Sequence, residues 1–69
     1  MKIVLTQHVK EQMVERGISE DEVISAVKYP ENTQKIDGLY YVQKKTTQGT
    51  IEIVYEKQNY IKVITVYPL

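Results

Sequence analysis

The sequence has no cysteine and a single histidine, His8, in 69 residues. The first absence excludes disulfides, cysteine-based zinc sites and thiol catalysis, and the second excludes a multi-histidine metal site within one chain. Arginine is nearly missing too, because the nine Lys and Arg residues are all lysine except Arg16. Nine Asp and Glu residues balance them to a formal net charge of zero. No whole-molecule attraction to nucleic acid or anionic membranes follows, so any such binding has to come from a local patch. Long hydrophobic runs are absent, and nothing in the chain is suited to span a membrane. Ile3-Val4-Leu5 gives way to Thr6-Gln7-His8 too soon for the core of a signal peptide, which predicts a cytoplasmic protein. There is no Gly-rich phosphate loop, no G-x-S-x-G and no H-E-x-x-H, which argues against nucleotide hydrolysis, serine hydrolysis and zinc proteolysis.

What is present reads as one folded domain over residues 1–69, with 42% hydrophobic and 26% charged residues. A core of this size supplies only a few kcal/mol. With disulfides and metal excluded, self-association or a tight partner is the remaining supplement.

The N-terminal half reads as helical. Ile3-Val4-Leu5 suits a short edge strand or a staple for the helix behind it. Thr6 is placed to cap a helix over residues 7–16, whose Val9 and Met13 lie four apart on one face, and Gly17 to end it in the left-handed conformation. Ser19 to Glu22 is an S-x-x-E capping box, with Ile18 and Val23 placed as a hydrophobic staple. It opens a second helix over residues 20–29, with Val23, Ile24 and Val27 as its apolar stripe and Tyr29-Pro30 as its end.

Beyond Pro30 the residues favour strands. Runs at 33–36, 39–46, 50–57 and 60–67 are separated by Asp37-Gly38, Gln48-Gly49 and Gln58-Asn59, which predicts an antiparallel β-meander. Period two places Ile51, Ile53 and Tyr55 on one face and Glu52, Val54 and Glu56 on the other. It also leaves both faces of the last strand largely apolar, with Ile61, Val63 and Thr65 opposing Lys62, Ile64 and Val66. One apolar face is left to be covered, which predicts a homodimer. The expected class is α+β, a short N-terminal strand and a helix pair packed on a small antiparallel sheet.

Few residues carry chemistry. His8 falls in the first turn of the first helix, where the dipole favours the neutral ring that a general base needs. The bland alternative is a surface histidine that only caps or packs. Arg16 suits bidentate phosphate binding, although the last turn of a helix favours a cation in any case. Eight residues at about 1.5 Å each separate the two by roughly 12 Å, so they would flank an extended polyanion rather than act on one atom. Glu52 and Glu56 lie about 13 Å apart at strand rise, too far for a two-carboxylate mechanism. Lys44, Lys45 and Lys62, with Lys35 and Lys57, are interleaved with Tyr40, Tyr41, Tyr55, Tyr60 and Tyr67. Such a surface can hold a phosphate backbone and stack bases, or it can simply guard edge strands and fill sheet faces. No metal site and no cofactor is implied.

His8, Met13, Arg16-Gly17-Ile18-Ser19, Val23, Pro30 and the closing Ile61-Lys62-Val63-Ile64-Thr65-Val66-Tyr67 together resemble the family called domain of unknown function 4258. That family typically begins H-A-x-x-R-M-x-x-R-G-I-S and ends in a V-x-T-V-Y strand. The resemblance implies a RelE/ParE-like fold and kinship with metal-independent ribonucleases of toxin–antitoxin pairs. It implies an antitoxin protein and RNA as partners. On that reading His8 and Arg16 are catalytic, while Lys44, Lys45, Lys62 and Tyr67 bind substrate. Two departures stand out. Gln12 replaces the family's first arginine, and the chain is neutral where RelE-like ribonucleases are usually basic.

Overall fold

Thr6 divides the first strand from the first helix. In the computed structural model, which describes all 69 residues, the order is β1 (Ile3–Leu5), α1 (Gln7–Arg16), α2 (Glu20–Lys28), β2 (Asn32–Ile36), β3 (Leu39–Thr46), β4 (Gly49–Lys57) and β5 (Ile61–Pro68). The Thr6 side chain accepts from the Val9 N–H, and Gly17 closes α1 at φ 66°, ψ 32°. That left-handed geometry disfavours residues with a Cβ. The Ser19–Glu22 capping box is complete in both directions, and Ile18 and Val23 beside it are buried. The second helix stops at Lys28, with Tyr29 as its cap. Its inward stripe is Val23, Ala26 and Val27, since Ile24 stays half-buried.

The strands pair in the order β1-β5-β4-β3-β2. The sheet is therefore mixed and not purely an antiparallel meander: β2 to β5 alternate in direction, while β1 joins β5 in parallel, Ile3 to Leu5 against Ile61 to Val63. Asp37 and Gly38, at φ 51° and 81°, make the β2–β3 turn. Both central residues at positive φ match the twist of a tight hairpin. The β3–β4 turn is Thr47-Gln48, because Gly49 already pairs with Thr46.

The helices cover one face of the sheet. Val9 and Met13 of α1 and Val23, Ala26 and Val27 of α2 meet Val42, Ile51, Ile53, Val63 and Val66 there. Thirteen of 69 residues are buried, so the core is small, as the chain length requires. Each fully buried Val or Ile contributes about 1.5–3 kcal/mol of transfer free energy.

One strand departs from strict alternation. Val54 pairs with Thr65 but the next residue, Tyr55, pairs with Val63, so Ile64 is an extra residue in a β-bulge. The bulge resets the faces of β5. Val63 and Val66, three apart, both point into the core and are fully buried, while Ile64 is 37% exposed. The two apolar faces expected from alternation thus become one. The homodimer expectation rested on that alternation as well as on the small core; away from the helices β5 presents Lys62, Thr65 and Tyr67, opposite Glu56, Val54 and Glu52.

Candidate functional site

On α1 the core-facing pair Val9 and Met13 fixes the rotation of the helix. His8, Gln12 and Arg16, each one residue earlier or four further along, then form a second stripe beside it. That stripe runs along β5. The short β1 covers the outer edge of β5 only as far as Val63, which leaves the backbone of Val66 without a strand partner on that side. Two helix side chains take the place of one. Gln12 Oε1 accepts from the Val66 N–H at 3.2 Å, and an Arg16 guanidinium nitrogen donates to the Val66 carbonyl at 2.6 Å. A β edge left open invites pairing with other chains, and here α1 closes it.

The same glutamine links outward. Its Oε1 also accepts from the Thr65 hydroxyl at 3.1 Å, and its Nε2 lies 3.1 Å from Nε2 of His8. His8 is exposed on the helix surface. The structure therefore joins His8, Gln12, Thr65 and Arg16 into one polar seam between α1 and β5. Tyr67 lies two residues beyond Thr65 on the same strand face, roughly 7 Å away. Its hydroxyl donates to Glu52 of β4, which also accepts from the Gln43 amide of β3 at 3.1 Å.

The lysines do not join this seam. Lys44 donates to the Tyr29 carbonyl at 2.9 Å and so completes the end of α2. The Lys45 backbone N–H is held by the Glu31 carboxylate. Both residues line an open cleft between α2 and β3 that Asp21, Glu22 and Glu31 line as well, so it carries both signs of charge. Lys62 is placed apart from them, between Val4 of β1 and Glu56 of β4. The tyrosines divide as well. Tyr40 and Tyr55 stack at 5.0 Å and 9° on the helix-side face, and Lys35 sits 5.3 Å from the centre of the Tyr40 ring. Burial, and then the neighbouring Tyr40, push the Tyr55 hydroxyl above its ordinary pKa. These rings pack the fold and are not free platforms for bases.

Of the residues expected to act together, His8 and Arg16 share a stripe and Tyr67 borders it, whereas Lys44, Lys45 and Lys62 stand elsewhere. Gln12, Thr65 and Glu52 are the members that sequence reasoning did not place in the site. The spacing of four from both His8 and Arg16 marks Gln12 as their neighbour on the helix; nothing in the sequence marks Thr65 or Glu52.

The family model described as Domain of unknown function (DUF4258) matches residues 5–68. That span includes the whole seam, both helices and strands β2 to β5. No curated protein and no solved structure matches the chain. No helix is long and apolar enough to cross a membrane.

Proposed function

The chain belongs to that family of unknown function, and we propose that it is a small cytoplasmic toxin-type protein with a RelE/ParE-like fold, a metal-independent endoribonuclease that works at the α1–β5 seam and is held in check by an antitoxin protein. The observation that carries this reading is the exposed stripe in which His8, through Gln12, and Arg16, directly, are tied to the strand edge at Val66. Such a stripe presents an imidazole and a guanidinium to successive positions of an extended polyanion. In the reaction, the RNA 2′-hydroxyl attacks the adjacent phosphorus. The 2′-oxygen–phosphorus bond forms as the bond to the 5′-oxygen breaks, the hydroxyl proton passes to a base and the leaving oxygen gains a proton. His8 is the seam's proton-transfer group. Arg16 keeps guanidinium donors beyond the one spent on Val66, and these stabilise charge on the phosphate oxygens. Tyr67 orients the strand beside Thr65, and Lys44, Lys45 and Lys62 supply attraction at a distance.

RNA cleavage in EDTA tests this, with wild type, His8→Ala and Arg16→Lys shown beforehand to be equally folded. Wild-type cleavage that falls at least tenfold in both variants is the expected result. Absence of cleavage over a wide range of protein concentration overturns it.

A second reading has its own support. Arg16 and Lys44 each spend a donor on a backbone carbonyl, which leaves fewer free cations for phosphate than the charge count suggests. A non-catalytic module that binds a protein, or a second copy of this chain, fits that economy. Salt separates the two readings, since RNA binding weakens steeply with ionic strength and apolar docking does not.

A further inference from the structure

The Gln12 amide meets three groups: the Val66 N–H at 3.2 Å, the Thr65 hydroxyl at 3.1 Å and His8 Nε2 at 3.1 Å. The two ends of an amide have nearly the same shape, so donor and acceptor roles decide which end faces which neighbour. A backbone N–H can only donate. The atom facing Val66 is therefore the oxygen, and the Thr65 hydroxyl, which can turn, donates to it as well. The NH2 group is left facing His8, and it too can only donate. His8 Nε2 must then accept, which puts the proton of the neutral ring on Nδ1.

We infer that Gln12 is a positioning residue that locks neutral His8 in the Nδ1–H tautomer, so that the group the ring offers to a ligand is an N–H donor suited to a phosphate oxygen. A histidine free in water favours the opposite tautomer, with the proton on Nε2. The lock is rigid because its far end is a backbone amide in the strand next to the core: Val66 is fully buried, and neither its N–H nor the bulge that places it can rotate to suit the ring. An arginine at position 12, the residue usual in the family, has no acceptor and could not make this link. For cleavage, the consequence rests on the proposed ribonuclease reading: Nδ1–H meets a phosphate oxygen, while Nε2 takes a proton only once the Gln12 bond has opened.

Nitrogen-15 NMR of the histidine ring, recorded on the free full-length protein in alkaline buffer where imidazole is neutral, tests the lock. Wild type is expected to show Nδ1 protonated and Nε2 as the bare nitrogen. Gln12→Glu keeps an oxygen for Val66 and Thr65 but replaces the NH2 with a second acceptor, so His8 is expected to switch to Nε2–H. A wild-type spectrum with Nε2–H dominant overturns the inference without any variant, as does an unchanged tautomer in folded Gln12→Glu. The spectrum needs no RNA, so a failure of the ribonuclease reading and a failure of the lock are read separately.

Discussion

Arg16 and Val66 are 50 residues apart in sequence and 2.6 Å apart in space, the guanidinium of one donating to the main-chain carbonyl of the other. The bond joins the last turn of α1 to the C-terminal half of β5, and it makes the only arginine a structural member before it is anything else. Hydrogen bonds to a charged partner contribute about 1.5–3 kcal/mol. Arg16→Ala is expected to lose stability of that order in urea unfolding, and Arg16→Lys distinctly less. Equal midpoints for Arg16→Ala and wild type would show that the bond contributes nothing. Any activity measurement on Arg16→Ala has to be read beside this loss.

The bulge makes a contrast between near neighbours in one strand. Val66→Ala opens space in the core and is expected to cost about 2 kcal/mol, whereas Ile64→Ala, at a partly exposed site, costs less than about 1 kcal/mol. Unbroken alternation from Val63 would bury neither Ile64 nor Val66 beside it. Denaturant midpoints of the two variants check the assignment, and an inverted order would place the bulge elsewhere.

Acid stability reports on the start of α2. The Ser19 backbone N–H, then the Ser19 hydroxyl, hold the Glu22 carboxyl below its ordinary value of 4.5. A depressed folded-state value means that the ionised form stabilises the fold at neutral pH, and this contribution is lost as pH falls below 4.5 through the folded value. Ser19→Ala is expected to cost about 1 kcal/mol at neutral pH through the lost cap. Glu22→Gln cannot ionise, so its deficit relative to wild type is expected at neutral pH and should shrink in acid. A deficit that stays constant from neutral pH to pH 3 would remove Glu22 from the account.

Alkaline stability reports on the aromatic stack. Tyr55 has its hydroxyl raised above the ordinary value of 10.0 by burial and by Tyr40. The unfolded chain then loses this proton first, so the neutral hydroxyl stabilises the fold fully below that value, and the benefit is lost as pH rises through the folded value. Tyr55→Phe keeps the ring and removes the proton. Its urea midpoint should fall less than that of wild type between neutral pH and pH 11, and parallel losses would count against Tyr55 as the group responsible.

Local signals were legible in the sequence, and they are the ones whose partners lie within a few residues. Thr6, Gly17, the Ser19–Glu22 box and Asp37-Gly38 each act on backbone four or fewer positions away, so spacing alone reveals them. The pairing of β1 with β5 was not legible, because a three-residue apolar run carries no record of which strand it will join. The faces of β5 were misread for a related reason: period two assumes one residue per partner, and a single inserted residue at Ile64 reverses everything after it. In the candidate site, residue types suggested His8 and Arg16, and the structure sets them on one stripe. What they bind within the fold stayed hidden, since Val66 contributes only its backbone, which has no letter in the sequence. The roles of the lysines were not legible, because a lysine-rich strand looks the same whether its ammonium groups face a ligand or, as at Lys44, cap the end of a helix.

Because β1 lies alongside β5, the first strand and the fifth close this fold together. During synthesis the first strand and helix emerge long before the residues that complete them, and Val66, which Gln12 and Arg16 must grip, follows the whole of α2, β2, β3 and β4. Until then the neighbours β2, β3 and β4 can pair among themselves, but β1 has no strand to join and the helix stripe has nothing to hold. Contacts this distant in sequence close late and slowly, after a large loop has been ordered. The seam thus exists only once β5 has joined the sheet, and a fragment cut short within β5 would carry His8 and Arg16 without the surface that arranges them.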